Sequence, residues 1–121
     1  MIQEDNKDLL FKDLSARLPY GVKVFYEYVD CLNKKTYGYS LTLNTWCINE
    51  MKAEKAVVKP YLRPMSSMTE EEIKEYKHLV AFSGSPNGAA NFIDWLNKNH
   101  FDQRGLIPMG LALDCTGLNI Y

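Results

Sequence analysis

Two period-two runs set close together in the chain constrain this fold most. Tyr37-Gly38-Tyr39-Ser40-Leu41-Thr42-Leu43-Asn44-Thr45 alternates apolar with small or polar residues, the pattern of a strand with one wet face. Just before it, Val22-Lys23-Val24-Phe25-Tyr26-Glu27-Tyr28-Val29 is rich in β-branched and aromatic residues and sets Val22, Val24, Tyr26 and Tyr28 on one face. The polar residues 30–35 between them, with Asn33 suited to a turn, make a short connection, and short connections join antiparallel strands. No alternation of strand and helix surrounds this hairpin, which excludes a doubly wound parallel sheet.

The sequence predicts a third strand at Ala56-Val57-Val58-Lys59, after a charged link over residues 49–55. Pro60 is expected to end that strand or to confine it to a sheet edge. Tyr61-Leu62-Arg63-Pro64 is extended, because Lys59 and Arg63 each precede a proline. Leu118-Asn119-Ile120-Tyr121 reads as a last short strand, and residues 104–113 as a helical turn followed by an extended piece that packs back on the sheet.

Three helices complete the pattern. In the first, Asp5 or Asn6 is the expected cap, Leu10, Phe11, Leu14 and Leu18 share a face, and Asp8, Lys12, Asp13 and Arg17 take the other side. Pro19-Tyr20-Gly21 ends it. Thr69-Glu70-Glu71-Glu72 opens the second with a capping box, Met68 and Ile73 standing at the positions of a hydrophobic staple. Its inner face is expected to hold Ile73, Tyr76 and Leu79 or Val80. Ser85 caps the third with Pro86 at its first position, and Ala89, Phe92, Ile93 and Leu96 form the stripe meant for burial. The expected fold is α+β: a small antiparallel sheet of about three strands, packed by an N-terminal helix and two helices of the C-terminal half.

The 121 residues suit a single domain, 1–121, able to bury about two-thirds of its unfolded surface. Hydrophobic residues at 46% and charged residues at 24% exclude disorder, collagen-like repeats and coiled coil. With 14 Lys and Arg against 15 Asp and Glu, the net charge of −1 argues against a broad phosphate-binding face. The acidic start of the chain lacks the apolar core of a secretory signal, and no apolar run approaches a membrane span. Cys31, Cys47 and Cys115 form no C-x-x-C pair, so they read as reduced thiols of a cytoplasmic protein.

Candidate chemistry is sparse. His100, Asp102 and Arg104 alternate after the last helix, and an extended backbone would put imidazole, carboxylate and guanidinium on one side. That trio could bind an anion or do acid–base work, with Tyr61 and Arg63 converging on it. Capping accounts for the same residues: Asp102 before a turn and paired with Arg104, His100 at a helix end. No nucleophile is close in sequence, so no catalytic residue is assigned. His78 and His100 are too few and too scattered for a metal site, and no cofactor is expected. Gly84-Ser85-Pro86-Asn87-Gly88 lacks the lysine of a phosphate-binding loop and reads as a helix start. Tyr26, Tyr28, Tyr37 and Tyr39, interleaved with Lys23, Lys34, Lys35, Lys59 and Arg63, could stack single-stranded nucleic acid. Their phase with Val22, Val24, Leu41 and Leu43 makes them inward-facing instead.

Val58-Lys59-Pro60-Tyr61-Leu62-Arg63-Pro64-Met65-Ser66-Ser67-Met68-Thr69-Glu70-Glu71-Glu72 is distinctive, as are Asp94-Trp95-Leu96-Asn97, His100-Phe101-Asp102, Arg104-Gly105-Leu106-Ile107 and Gly110-Leu111-Ala112-Leu113. With Lys12-Asp13-Leu14 and Ala16-Arg17-Leu18-Pro19-Tyr20-Gly21-Val22, they resemble a group of short proteins from gut Bacteroides species and their prophages and mobile elements. Residues 30–55 lie outside the resemblance. It implies a small, intracellular, phage-associated accessory protein and carries no catalytic residue. The sequence therefore favours a non-enzymatic module that binds a host or phage protein. Ligand binding or catalysis by His100, Asp102 and Arg104 is the alternative, and nucleic-acid binding ranks last.

Overall fold

The computed structural model describes residues 4–121. Helix α1, Glu4–Arg17, is already helical at Glu4, so Asp5 and Asn6 lie inside it rather than at its cap. It closes through a 3-10 turn, Leu18–Tyr20, and Gly21 takes the reversal at φ 66°. Strands β1, Lys23–Val29, and β2, Thr36–Thr42, form the expected antiparallel hairpin, with Tyr26 opposite Tyr39 and Tyr28 opposite Tyr37.

Beyond β2 the expectation fails. Residues 45–52 form helix α2, Thr45–Lys52, where the sequence reading has the end of a strand and a charged link. The side chain of Asn44 accepts from the Cys47 N–H, a helix cap where strand alternation suggests only another polar position. Cys47, Ile48 and Met51 then fall at helical spacing and are buried.

Strand β3, Val57–Leu62, runs through Pro60 instead of ending there, so of the two expectations for that proline only the edge position is met, and only locally. It pairs antiparallel with β1 on one side and parallel with the short β4, Leu113–Asp114, on the other. The strand order is β2-β1-β3-β4. Proline is tolerated because β4 meets β3 only from Tyr61 onward, so at Pro60 the strand still has a free side. The C-terminal segment packs back on the sheet as expected, but residues 118–121 form no strand.

Helices α1 and α2 cover one face of this mixed sheet. Leu10 and Leu14 from α1, Cys47, Ile48 and Met51 from α2, Val24 and Tyr26 from β1, and Val58 and Leu62 from β3 make one core with Leu106, Leu111 and Ala112. Each fully buried aliphatic side chain here contributes about 1.5–3 kcal/mol relative to exposure. The architecture is α+β.

Helices α3, Glu70–Ala81, and α4, Pro86–Lys98, stand apart from that core as a hairpin. The capping box at Thr69 and Glu72 and the Ser85 cap form as the sequence predicts. The expected burial does not follow. No residue of α3 is buried: Tyr76 and Leu79 are half-buried, while Ile73 and Val80 are exposed. In α4 only Leu96 and Asn97 are buried, with Ala89 and Ile93 in solvent. The two helices pack mainly on each other, through an edge-to-face pair of Tyr76 and Phe92 and a hydrogen bond from Trp95 Nε1 to Glu75.

Candidate functional site

Arg63 follows β3 directly and is fixed through its backbone. Its N–H donates to the His100 carbonyl at 2.7 Å, and its own carbonyl accepts from the Asp102 N–H at 2.8 Å. Its guanidinium lies 4.3 Å over the Phe101 ring and donates to both carboxylate oxygens of Glu72, at 2.7 and 2.8 Å. Glu72 thus closes the α3 capping box and anchors the hairpin to the sheet. The hydrogen bonds from Arg63 hold its carboxyl at about 2, well below the ordinary range, against an opposing effect of burial.

Asp102 is buried and caps the following turn, accepting from the N–H groups of Leu106 at 2.7 Å and Ile107 at 2.9 Å. Arg104 does not pair with it. Its guanidinium reaches α1 and donates to Asp13 at 2.8 Å. The other Asp13 oxygen accepts from Arg17 Nε at 2.9 Å. Asp13 and Arg17 are both fully buried, which corrects the expectation that they face solvent. Arg17 Nη2 donates to the Phe101 carbonyl and to Gln103, whose amide donates to the buried Asn97. This polar seam ties α1 to residues 97–104, and partners more than eighty positions along the chain make charge burial feasible there.

His100 has φ 63°, an unusual left-handed backbone for a histidine. That turns its ring onto Tyr121, stacked at 3.6 Å between centroids and 13° between planes. Among the described residues its buried Nδ1 has no hydrogen-bond partner, and neither does Arg17 Nη1. Burial, then the positive charges of Arg17 and Arg63, lowers its pKa to about 4, so the ring is neutral near pH 7. The Tyr121 hydroxyl accepts from the Lys23 N–H at 2.7 Å and donates to the Tyr61 carbonyl at 2.8 Å. It bridges β1 and β3 one step beyond their last direct pair, Val24 and Pro60. Tyr61 turns its own hydroxyl to Ser40, 3.0 Å away.

The five candidates are therefore joined through backbone while their side chains part. Arg63 goes to Glu72, Asp102 to backbone, Arg104 to Asp13, His100 to Tyr121 and Tyr61 to Ser40. A cleft of about 250 Å³ borders Arg63, Ser67, Cys115 and Tyr121, but burial raises the pKa of the Cys115 thiol, the reverse of what activates a nucleophile. A larger groove, about 520 Å³, lies between Tyr28, Met51 and Val57 with the Lys7–Glu54 ion pair beside it. Among the described residues no three His, Cys, Asp or Glu side chains are grouped to hold a metal ion. No helix among them is long and apolar enough to cross a membrane.

Sequence reasoning passed over Arg17, Asp13, Gln103 and Tyr121, whose roles rest on contacts remote in the chain. The expectation that Tyr37 and Tyr39 face inward is also corrected: both share the face of the buried Tyr26 but lie on the edge strand β2, and they are exposed. Trp46 is exposed beside them and stacks on the Tyr26 ring at 4.9 Å. Ile73, Val80, Phe82 and Ile93 are exposed on the hairpin. No family model matches the chain, and no curated protein or solved structure matches it.

Proposed function

We propose that this chain is a non-enzymatic accessory module of a phage or mobile element, which binds a host or phage protein through the α3–α4 hairpin. The observation that carries this is a twelve-residue helix, α3, with no buried residue. Ile73 and Val80 stand seven positions apart, on one face of α3, and remain in solvent with Phe82 and Ile93. Most helical stability in proteins comes from packing an apolar face, and this one lacks a cover. Exposed apolar side chains gathered on one pair of helices are a mark of interaction sites. The polar candidates support the same reading, because Arg63, Asp102 and Arg104 are engaged in bonds that hold the fold.

A photo-crosslinking residue at Val80 or Ile93, in the chain expressed in a Bacteroides host, tests this. The expected result is one discrete protein adduct, absent from a crosslinker placed at the exposed Leu32 and lost when Ile73→Asp is added. Equal labelling from position 32, or adducts indifferent to Ile73→Asp, would contradict it.

A further inference from the structure

We propose that a second copy of this chain pairs along the outer edge of β2, antiparallel about a two-fold axis through Tyr39, to make one continuous sheet. The surface is separate from the hairpin. Strand β2 ends the sheet, and among the described residues no strand pairs with its outer side. Natural edges are blunted with charge, proline or a bulge. Thr36-Tyr37-Gly38-Tyr39-Ser40-Leu41-Thr42 has no charged residue and no proline, and it pairs residue for residue with β1 without a bulge.

Its free backbone groups can be assigned. The Leu43 N–H donates to the Val22 carbonyl, so by antiparallel alternation the odd residues of β2 bond to β1. The N–H and C=O groups of Thr36, Gly38, Ser40 and Thr42 then point outward. About Tyr39 the strand is nearly a palindrome. Thr36 would face Thr42, Gly38 would face Ser40, Tyr37 would face Leu41, and Tyr39 would face itself. Each outward-bonding residue meets another outward-bonding residue, so the ladder is complete over the whole strand. Small side chains meet small ones on the outer face, where the Phe25 ring already occupies the space a Cβ at Gly38 would need. Apolar side chains meet apolar ones on the inner face, and the exposed Tyr37 and Tyr39 of each copy adjoin the other's. Lys34 and Lys35 fall at opposite ends of the paired strands, so like charges do not meet. This match of polarity, size and bonding phase selects a second copy over an unrelated extended peptide.

Sedimentation equilibrium from about 1 to 200 µM, a range that brackets interfaces of modest size, is the first measurement, and a monomer–dimer equilibrium is the expected result. Ser40→Pro removes an outward N–H that β1 does not use, and Tyr39→Lys restores an edge charge. Each should raise the dimer dissociation constant at least about tenfold with the monomer still folded by circular dichroism. In a Cys31→Ser background, Tyr39→Cys should form an intermolecular disulfide, because residues directly opposite in a non-hydrogen-bonded pair lie close enough to bridge. Thr42→Cys should not. A monomer throughout that range overturns the proposal, as does a dimer indifferent to Ser40→Pro or one that crosslinks equally at positions 39 and 42.

Discussion

In residues 97–107 the polar side chains of Asn97, Asp102, Gln103 and Arg104 are buried or half-buried, and each is bonded. One helix away, in α3, the apolar groups are outside and uncovered. The first region uses Asp13, Arg17, Arg104 and Asp102 to hold α1, β3 and the C-terminal turn together. Among the described residues, the second is tied to the end of β3 by the bidentate pair of Arg63 with Glu72. The difference teaches that polarity in the sequence does not mark the exposed surface here. Charged residues with partners at hand build the frame, and residues fit for burial stand in solvent.

Breaking the frame should have the largest effect. Asp13→Ala leaves Arg17 buried without its carboxylate, and loss of one partner of a buried pair costs about 3–5 kcal/mol. Urea unfolding should show the midpoint fall accordingly. Replacing both residues, Asp13→Leu with Arg17→Met, should restore part of it, since the fully buried charges are gone and only Arg104, which reaches solvent, is left without its carboxylate. If Asp13→Ala is no worse than a surface change, the seam is not what holds α1.

Next is the anchor between the two regions. Glu72→Gln weakens the Arg63 pair and the α3 cap together, and should cost about 1–2 kcal/mol for a partly exposed charged hydrogen bond. The sign of its pH dependence follows from a carboxyl held at about 2 against an ordinary 4.5. Its stabilisation is full above 4.5 and drains away as pH falls toward 2. The Glu72→Gln variant should lack that acid-labile component.

His100 tests the seam at milder pH. Its folded pKa of about 4 lies below the ordinary 6.5, so the unfolded chain binds the extra proton between those values. Stability should be full above 6.5 and decline as pH drops through that window. His100→Asn keeps a residue that accepts positive φ and removes the titration, so its curve from pH 7 to pH 5 should be flatter than that of the wild type. A curve identical to wild type would contradict burial of the ring. Tyr121→Phe, which removes the hydroxyl bridge between Lys23 and Tyr61, should cost about 1 kcal/mol in the same assay.

The smallest effect belongs to the hairpin surface. Val80→Lys, at an exposed position in the last turn of α3 where a cation suits the helix end, should change stability by less than about 0.5 kcal/mol. A larger loss would show that Val80 is packed in solution.

How much of this is legible in the sequence depends on how far each cause lies along the chain. The caps at Thr69 and Ser85 are legible because donor and acceptor are three residues apart. The β1–β2 hairpin is legible because alternation and a short connection fix its register. Helix α2 is not: Thr45, Trp46, Cys47 and Ile48 suit a strand, and only the Asn44 cap and the burial of Met51 decide otherwise. Pro60 misleads because its tolerance depends on where β4 starts, more than fifty residues later. Among the site candidates, Asp102 as a cap is readable from its place before a turn. The true partner of Arg104 is not, since Asp13 lies ninety-one positions away.

Amide hydrogen exchange, read residue by residue on the wild-type chain, tests the contrast most directly. The Phe101, Leu106 and Ile107 amides, bonded to Leu96 and to Asp102, should exchange only through global unfolding. Those in the middle of α3 should exchange through local opening at least about a hundredfold faster. Equal protection of α3 and of residues 101–107 would contradict the account, because it would mean that the hairpin is held by the same core as the rest of the chain.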